Sequence, residues 1–336
     1  MLEFRREGIY CVPGQFYIDP WLPVDYAIIT HAHSDHARIG MKKYLCHKFT
    51  EPILRLRLGA DIKVQTVNYN EELSINAVKV SLHPAGHIIG SAQVRIEYKG
   101  KVTVVSGDFK IQDDGLSTPF EPIKCHDFIT ESTFGLPIYN WLEVNQINQN
   151  LVEWVLNNKE KGINSIIIGY ALGKAQRIMN AVKDISVPYV HYAISKINNS
   201  FLEIGIQLPA YQTIDFQNKP KDMQGEVIIV PPSLFGSTML KGIPRSFTAI
   251  CSGWMQVRGA RRWRSADAGF AISDHADWTG LLKAVKESNA ERVYVTHGFK
   301  SELSRYLNEI GIESHEITTQ FGVEEEIDEV INEEKS

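Results

Sequence analysis

The segment YAIIT (26–30) runs directly into HAHSDH (31–36), and this stretch decides the fold. An apolar strand followed by three histidines and one aspartate places those side chains on the loop at the strand's end. Ligands one or two residues apart on such a loop converge on one point, and imidazole with carboxylate suits Zn, Mn or Fe. A polar surface loop is the alternative, which the apolar strand before it disfavours. The motif therefore predicts a transition-metal site.

Three further predicted strands also end at a ligand-type residue. SLHPAGHIIGS (81–91) contains His87 between two glycines, VTVVSGD (102–108) ends at Asp108, and VYVTHG (293–298) supplies His297. Together with the first motif they complete a site for two divalent ions, Zn or Mn: His31, His33 and His87 for one ion, Asp35, His36 and His297 for the other, and Asp108 as the bridge. Two ions about 3.5–4 Å apart stabilise both the attacking and the leaving oxygen of an in-line displacement. This set predicts phosphodiester hydrolysis, with Asp35 and Asp108 among the catalytic residues.

The 336 residues suffice for two domains, and the hydrophobic fraction of 43% is ordinary. Up to about residue 135 the pattern predicts short strands, whereas VNQINQNLVEWVLNN (144–158) has helical spacing. Strand and helix then alternate, beginning with NSIIIGY (164–170), which is typical of a parallel sheet covered by helices. Because the metal-ligand motifs lie before and after this middle part, we predict an inserted domain within a metal-binding domain. The predicted boundaries are 1–138 and 269–323 for the metal-binding domain, 139–268 for the insertion and 324–336 for an acidic tail.

The net charge of −5 argues against a nucleic-acid partner until its distribution is considered. Residues 324–336 carry seven acids and one lysine, so the rest of the chain has a net charge of +1. No stretch approaches the ~20 apolar residues of a membrane helix, and the N-terminus lacks a secretion signal. The four cysteines are scattered, as expected of reduced thiols. These features predict a cytoplasmic protein without a membrane partner.

Two basic segments are candidates for phosphate contact. GKAQR (173–177) opens a predicted helix, whose free N–H groups would bind phosphate together with Lys174, Gln176 and Arg177. An ordinary basic first turn is the alternative. RGARRWR (258–264) brings together Arg258, Arg261, Arg262, Arg264 and Trp263. Arginine suits phosphate and an aromatic ring can stack a base, although a solvated basic face is the alternative.

These motifs resemble those of metallo-β-lactamase-fold hydrolases of the β-CASP branch, which includes Artemis-type nucleases, ribonuclease J and the cleavage-and-polyadenylation endonuclease. The likeness narrows to the bacterial DNA-ligase-associated exonuclease family through YCVPGQFYIDPW, RLRLGADIKVQT, SLHPAGHIIGSAQV, ITESTFGLPIY, YALGKAQR and SDHADWTGLL. It covers nearly the whole chain apart from the acidic tail, with departures at CHKFTEPI (46–53) and Asn140-Trp141-Leu142. The resemblance implies an α/β fold, an αββα metallo-β-lactamase sandwich with an inserted α/β β-CASP domain.

The resemblance also implies roles for residues outside the metal motifs. Glu131 matches the family's acidic strand-end residue and His275 its Ser-x-His histidine, so His275 is the implied general acid and Glu131 its orienting partner. His297 matches a motif that is histidine in some members. Further implied phosphate contacts are Ser132, Thr133, Ser252 and Trp254. The remaining histidines are predicted to be structural or at the surface: His47, His83, His126, His191 and His315.

The resemblance implies that the chain acts as a DNA exonuclease, directed to the 5′ end, in bacterial DNA repair in the nucleoid. It also implies an ATP-dependent DNA ligase and a helicase as partners. An RNA-processing nuclease of the ribonuclease J type is the first alternative, disfavoured because no appended RNA-binding segment is visible. A small-molecule metallo-hydrolase acting on a lactam or thioester is the second, which the inserted domain and the arginine cluster disfavour. A binding module without catalysis is the third, which the complete ligand set disfavours.

Overall fold

Strands dominate the first part of the chain in the computed structural model, which describes residues 1–218, 222–258 and 266–317. In chain order the elements are β1 (Leu2–Arg5), β2 (Gly8–Cys11), β3 (Phe16–Ile18), β4 (Ala27–Ile28), β5 (Tyr44–His47), α1 (Glu51–Leu58), β6 (Val64–Val67), β7 (Glu72–Ile75), β8 (Val78–Pro84), β9 (Ala92–Tyr98), β10 (Lys101–Val105) and β11 (Asp127–Thr130). Alternating polarity explains strands such as β8, in which Val78 and Val80 are buried while Lys79 is exposed. Positive φ angles at Lys99 and Gly100 form the tight turn between β9 and β10.

Helices and strands alternate in the middle of the chain. The elements are α2 (Val144–Glu160), β12 (Asn164–Ile168), α3 (Lys174–Val182), β13 (Tyr189–Val190), α4 (Tyr192–Glu203), β14 (Gln212–Thr213), β15 (Val227–Val230), a 3-10 turn (Pro232–Leu234), α5 (Thr238–Lys241), β16 (Ser246–Cys251), α6 (Met255–Arg258) and β17 (Ala268–Phe270). The helix predicted at 144–158 is confirmed as α2, whose buried face carries Ile147, Leu151 and Val155. The last elements are α7 (Trp278–Ser288), β18 (Arg292–Val295), α8 (Lys300–Glu309) and β19 (Glu313–Glu316).

Internal contacts divide the chain into two compact units. The first comprises Met1–Ile138 and the described chain from His275 onwards, and the second comprises the described residues of Tyr139–Asp274. The sequence predicts a return to the first unit at residue 269. In the structure β17 pairs with β16 in the sheet of the second unit. The boundary at which the chain re-enters the first unit is therefore His275 and not residue 269.

Two sheets make up the first unit. One has the strand order β1-β2-β3-β4-β5-β6, and the other has the order β19-β18-β11-β10-β9-β8-β7. The core between them includes Ile28 and Leu45 from the first sheet and Val94, Val105 and Ile129 from the second. Burying one such aliphatic side chain stabilises the fold by about 1.5–3 kcal/mol. Side chains of α7 and α8 pack against the second sheet in a separate apolar cluster. The second sheet therefore packs against the first sheet through one cluster and against these two helices through the other.

A parallel sheet forms the second unit, with the strand order β14-β13-β15-β12-β16-β17. Strand β12 lies near its centre and is buried at every position, as expected of a strand covered on both faces. Ile166 and Ile168 of β12 pack with Ile228 and Val230 of β15. The predicted α/β class is therefore confirmed. No described helix combines the length and the apolar composition that crossing a bilayer requires.

Candidate metal centre

Strand direction brings the predicted ligands together. In the second sheet β8, β10, β11 and β18 run in the same direction, because β9 is antiparallel to both β8 and β10 while β11 is parallel to both β10 and β18. His87, Asp108, Glu131 and His297 follow the carboxyl ends of these strands, and the loop HAHSDH follows β4 of the first sheet. Residues far apart in the sequence therefore meet at one edge of the first unit.

His31, His33, His87 and Asp108 form one group, in which each residue offers a ligand atom within 4.8 Å of the others. His33 Nδ1 lies 3.0 Å from His87 Nε2, so these two nitrogens share either a proton or a common cation. His31 Nε2 is buried and has no hydrogen-bond partner among the described residues. Burial lowers the pKa of His31 well below its ordinary value. A neutral imidazole with an unused buried lone pair fits a metal ion.

His31, Asp35 and His36 form a second group of ligand atoms within 4.8 Å of one another. His36 Nε2 lies 3.3 Å from Asp35 Oδ2 and 3.3 Å from Asp108 Oδ2. Burial alone would lower the pKa of His36, but the carboxylates of Asp35 and Asp108 outweigh it and raise the pKa well above its ordinary value. The space between these carboxylates therefore favours positive charge, which a divalent ion supplies more fully than a proton.

Asp108 belongs to the first group and also faces His36 of the second. Its Oδ2 is 3.5 Å from His31 Nε2, 3.3 Å from His36 Nε2 and 3.8 Å from His87 Nε2. Burial alone would raise the pKa of Asp108, but His36 and His275 outweigh it and hold the pKa well below its usual range. An ionised carboxylate that faces three imidazoles has the position of a bridging ligand, and this donor set fits two transition-metal ions. The bridging role itself stays a prediction.

His297 adjoins the second group. Its ring centroid lies 5.4 Å from that of His36, and its Nδ1 lies 3.2 Å from Thr296 Oγ1. The following Gly298 has a φ of 67°, and a Cβ atom there would collide with the carbonyl oxygen of Ser132, so this loop requires glycine. Burial lowers the pKa of His297, which keeps the ring neutral. Its service as a ligand stays a prediction.

A carboxylate–histidine pair lies beside the metal-ligand groups. Glu131 is 1% exposed and accepts a hydrogen bond from the Phe109 N–H at 2.8 Å. His275 Nδ1 lies 3.1 Å and 3.0 Å from the two Glu131 oxygens. The His275 ring centroid is 4.6 Å from that of His87, and the His275 side chain keeps 23% exposure. With Nδ1–H donating to Glu131, His275 presents Nε2 for proton transfer to a substrate.

Asp19 is a site residue that the sequence reasoning missed. Its Oδ2 lies 2.8 Å from His36 Nδ1, and its two oxygens accept hydrogen bonds from the Thr30 N–H and hydroxyl at 2.8 Å and 2.5 Å. Its backbone adopts a left-handed φ of 42°, which is uncommon outside glycine. Because His36 Nδ1–H donates to Asp19, Nε2 is left as the nitrogen that faces Asp35 and Asp108. The segment YIDPW, an acid directly before a turn, was the available signal.

Asp19→Asn is expected to weaken binding of one metal equivalent by about 10–100-fold. The amide would place an N–H group opposite His36 Nδ1, which favours the ring form that carries its proton on Nε2 and has no lone pair there for a metal. Titration of the metal-free protein against a chromogenic chelator measures the effect. Unchanged affinity for both equivalents would show that Asp19 does not govern His36.

The chain is similar to several known proteins. No family model matches the chain. A probable DNA ligase from Opitutus terrae is 30% identical over 310 residues, covering 91% of this chain and 30% of that protein. Cleavage and polyadenylation specificity factor subunit 3 from Dictyostelium discoideum is 27% identical over 225 residues, covering 55% of this chain and 28% of that protein. The chain is a relative of the β-CASP metallo-β-lactamase nucleases. The resemblance predicted from the sequence is confirmed.

Two further comparisons bear on this relationship. An RNase J-like protein from Methanocaldococcus jannaschii is 29% identical over 182 residues, covering 46% of this chain and 42% of that protein. The crystal structure of a protein of unknown function from Enterococcus faecalis V583 matches with a TM-score of 0.61 and 14% identity, over 88% of this chain and 80% of that one, which shows a shared fold. The chain spans less than a third of the Opitutus and Dictyostelium proteins.

The predicted phosphate site at the start of α3 is not at the surface. Lys174 and Arg177 are 4% and 3% exposed, and both face Asp274. Lys174 Nζ lies 2.8 Å from Asp274 Oδ2, and Arg177 Nη1 lies 3.6 Å from Asp274 Oδ1. Gln176, 1% exposed, hydrogen bonds to Gly173 N, Ala171 O and Asn198. The prediction that these three side chains bind phosphate is therefore corrected, because they are buried and form ion pairs or hydrogen bonds with residues of the same unit.

Asp274→Ala is expected to lower the free energy of unfolding by about 3–5 kcal/mol, because it leaves two buried cations without this carboxylate. Urea unfolding measures the loss. Glu203→Ala, which removes an exposed carboxylate from α4 of the same unit, is the matched control with an expected effect within about 0.5 kcal/mol. A loss for Asp274→Ala no larger than the control would mean that the ion pairs contribute nothing.

The other predicted phosphate contacts divide into three kinds. Ser132 is fully buried, and its hydroxyl donates to the backbone carbonyls of Thr296 and His297, which corrects its predicted role. Thr133, Ser252 and Trp254 are half-buried, so their phosphate contacts stay predictions. The side chain of Arg258 and the whole of Arg261, Arg262, Trp263, Arg264 and the tail 324–336 lie outside the described residues.

Proposed function

We propose that this chain is a two-metal phosphodiesterase that acts as a DNA exonuclease from the 5′ end. The observation that carries the proposal is the position of Asp108, whose Oδ2 faces the Nε2 atoms of three histidines at 3.3–3.8 Å. Glu131 and His275 each offer a ligand-type atom within 4.8 Å of one on Asp108. A bridging carboxylate beside a proton donor suits in-line displacement at phosphorus.

The proposed fold is an αββα metallo-β-lactamase sandwich with an inserted β-CASP domain. Two sheets that share one core, with α7 and α8 against the second sheet, support the sandwich. The parallel sheet of the second unit supports the β-CASP assignment for the insertion.

The two groups of ligand-type atoms support the following proposed roles. His31, His33 and His87 would hold one ion, Asp35, His36 and His297 the other, and Asp108 both. The two ions, Zn or Mn, when bound supply Lewis acidity for attack on phosphorus and for the charge that develops there. His275 gives a proton from Nε2 to the leaving sugar oxygen. Glu131 holds the ring through Nδ1 and stabilises its protonated form.

The relative from Opitutus terrae supports DNA as the substrate. A region similar to 91% of this chain is part of a longer polypeptide named probable DNA ligase. A nuclease that trims ends would prepare them for joining, so the proposed partners are an ATP-dependent DNA ligase and a helicase in the bacterial cytoplasm, in the nucleoid.

RNA processing is the second candidate function. The relatives from Dictyostelium discoideum and Methanocaldococcus jannaschii carry names that refer to cleavage and polyadenylation and to RNase J. Their matches cover 55% and 46% of this chain, against 91% for the relative named as a ligase. The wider match favours DNA.

End-labelled oligonucleotides of one sequence, as DNA and as RNA, test the proposal in the presence of Mn²⁺ or Zn²⁺. We expect 5′-labelled DNA to release its label as a mononucleotide at once, while 3′-labelled DNA shortens gradually. RNA cleaved much faster than DNA would favour the second candidate. Hydrolysis of a lactam or a thioester without cleavage of any oligonucleotide would refute phosphodiesterase activity. The His275→Ala protein, purified identically, shows whether cleavage belongs to this chain.

A further inference from the structure

Helix α1 is tied to both loops that supply the predicted metal ligands of the first group. At its N-terminal end, the Thr50 hydroxyl donates to Gly90 O at 2.7 Å, on the loop that carries His87. At its C-terminal end, Arg57 Nη1 donates to the carbonyl oxygen of Ala32, between His31 and His33, at 2.6 Å. The helix therefore runs alongside the candidate metal centre.

The segment that contains α1 is strongly basic. Residues 37–63 carry seven lysines and arginines against two acids, a net charge of +5 in a chain whose total is −5. Such a local excess of positive charge attracts polyanions irrespective of the total charge.

Two of these basic side chains lie on the side of the loop HAHSDH (31–36), here called the metal loop. The carboxyl ends of the parallel strands β4 and β5 lie at the same edge of the first sheet; HAHSDH follows β4 and Lys48 directly follows β5. Lys48 and Arg57 are both exposed, and neither has a carboxylate partner in the described part of the chain. Arg55, by contrast, is paired with Glu51 at 2.7 Å.

Arg57 is anchored without being neutralised. Its hydrogen bond to Ala32 O uses one N–H group of a guanidinium that has five. The contact fixes the position of the charge beside the metal loop, and the remaining N–H groups match the geometry of phosphate oxygens. An anchored arginine also loses less conformational entropy on binding than a mobile one.

We infer that Lys48 and Arg57 form a phosphate-binding rim, which holds the backbone of the nucleic-acid substrate next to the scissile phosphate. The inference rests on the proposed function and adds to it a second binding site for substrate phosphates, formed by Lys48 and Arg57 of the first unit. The rim contacts phosphates that flank the reacting one, so a substrate without flanking phosphates is indifferent to it.

The test compares Lys48→Ala/Arg57→Ala with Lys42→Ala/Lys63→Ala. The control pair removes the same charge from the same segment at the opposite edge of the sheet, since Lys42 precedes β5 and Lys63 directly precedes β6. A fluorescein-labelled single-stranded DNA oligonucleotide in EDTA gives the dissociation constant at several salt concentrations. Turnover of bis(p-nitrophenyl) phosphate with Mn²⁺ and the bound metal content are measured on the same proteins.

We expect the rim variant to bind the oligonucleotide more weakly by about tenfold or more. The slope of the logarithm of the binding constant against the logarithm of the salt concentration should become shallower by about 1.5, which corresponds to two lost phosphate contacts. The control pair should change the affinity less than about threefold. Turnover of the small ester and metal content should stay unchanged in both.

Three results would overturn the rim. Equal losses in both pairs would mean that only the overall charge matters. Loss of metal from the rim variant would mean that Arg57 braces the metal loop instead of binding phosphate. Unchanged oligonucleotide binding in the rim variant would show that Lys48 and Arg57 do not bind the substrate. If the unsubstituted protein cleaves neither DNA nor the small ester, the proposed function fails, and the binding data then report on the rim alone.

Discussion

Asp108→Asn is expected to remove metal and activity together, with kcat on DNA lowered by about 10³-fold or more. A single oxygen of Asp108 faces His31, His36 and His87 at 3.3–3.8 Å, so the substitution removes a carboxylate that faces residues of both groups. The amide keeps the size of the side chain but loses the charge that offsets the cations. Metal ions supply several kcal/mol of stabilisation to the transition state, and each 1.4 kcal/mol corresponds to a factor of ten.

Metal analysis by mass spectrometry after gel filtration, together with cleavage of labelled DNA, measures this loss. Asp113→Asn is the matched control, because Asp113 is an exposed acid five residues further along the same loop. The control should retain two equivalents of metal and full activity. An Asp108→Asn protein that kept both equivalents and most of its activity would contradict the bridging role.

The metal-ligand cluster was accessible to sequence reasoning because each ligand follows a strand that can be seen locally. HAHSDH, His87, Asp108 and His297 all stand one to three residues beyond a predicted apolar run. The sequence does not state the directions of these strands, but parallel pairing of β10, β11 and β18 sends their ends to one edge. Local pattern therefore predicts the candidate ligands, and sheet topology brings these residues together.

The errors arose where a side chain's partner is distant in the sequence. In the sequence, Lys174 and Arg177 look like the basic first turn of a helix. Only the fold shows that both form ion pairs with Asp274, about a hundred residues later. Asp19 stands outside every ligand motif, and its partner His36 lies 17 residues further along the chain. Burial and long-range pairing, unlike strand polarity, leave little periodic trace in a single sequence.

The domain boundary at residue 269 was misplaced for a related reason. GFAISDH has the alternation of a strand that leads into a ligand-type histidine, like the other metal-site strands. Its first residues instead complete the parallel sheet of the second unit, where Ile250 pairs with Gly269 and Cys251 with Phe270. One strand thus ends in the second unit while the histidine five residues later belongs to the first.

His275→Ala is expected to keep both metal equivalents and to lower kcat on DNA by about 10²–10⁴-fold. The ring is held by two contacts of 3.0–3.1 Å to the buried Glu131, and its role is to give a proton to a poor leaving group, the sugar oxygen. A substrate whose leaving group needs no proton should therefore be nearly indifferent to the change. With the p-nitrophenyl ester of thymidine 5′-phosphate, the same substitution should cost less than about tenfold.

The contrast between the two substrates separates proton donation from structural support. If His275 had only a structural role, His275→Ala would lower kcat equally for both substrates. If His275 were a metal ligand, the substitution would lower the metal content. The Glu131→Gln variant refines the test, since glutamine still accepts from Phe109 N but no longer stabilises a charged imidazole ring. If Glu131 acts only through His275, the double variant Glu131→Gln/His275→Ala should be no slower on DNA than His275→Ala alone, because residues that act as one unit are not additive. A further tenfold loss in the double variant would give Glu131 a separate role, through its hold on the Phe109 backbone and so on the neighbouring Asp108.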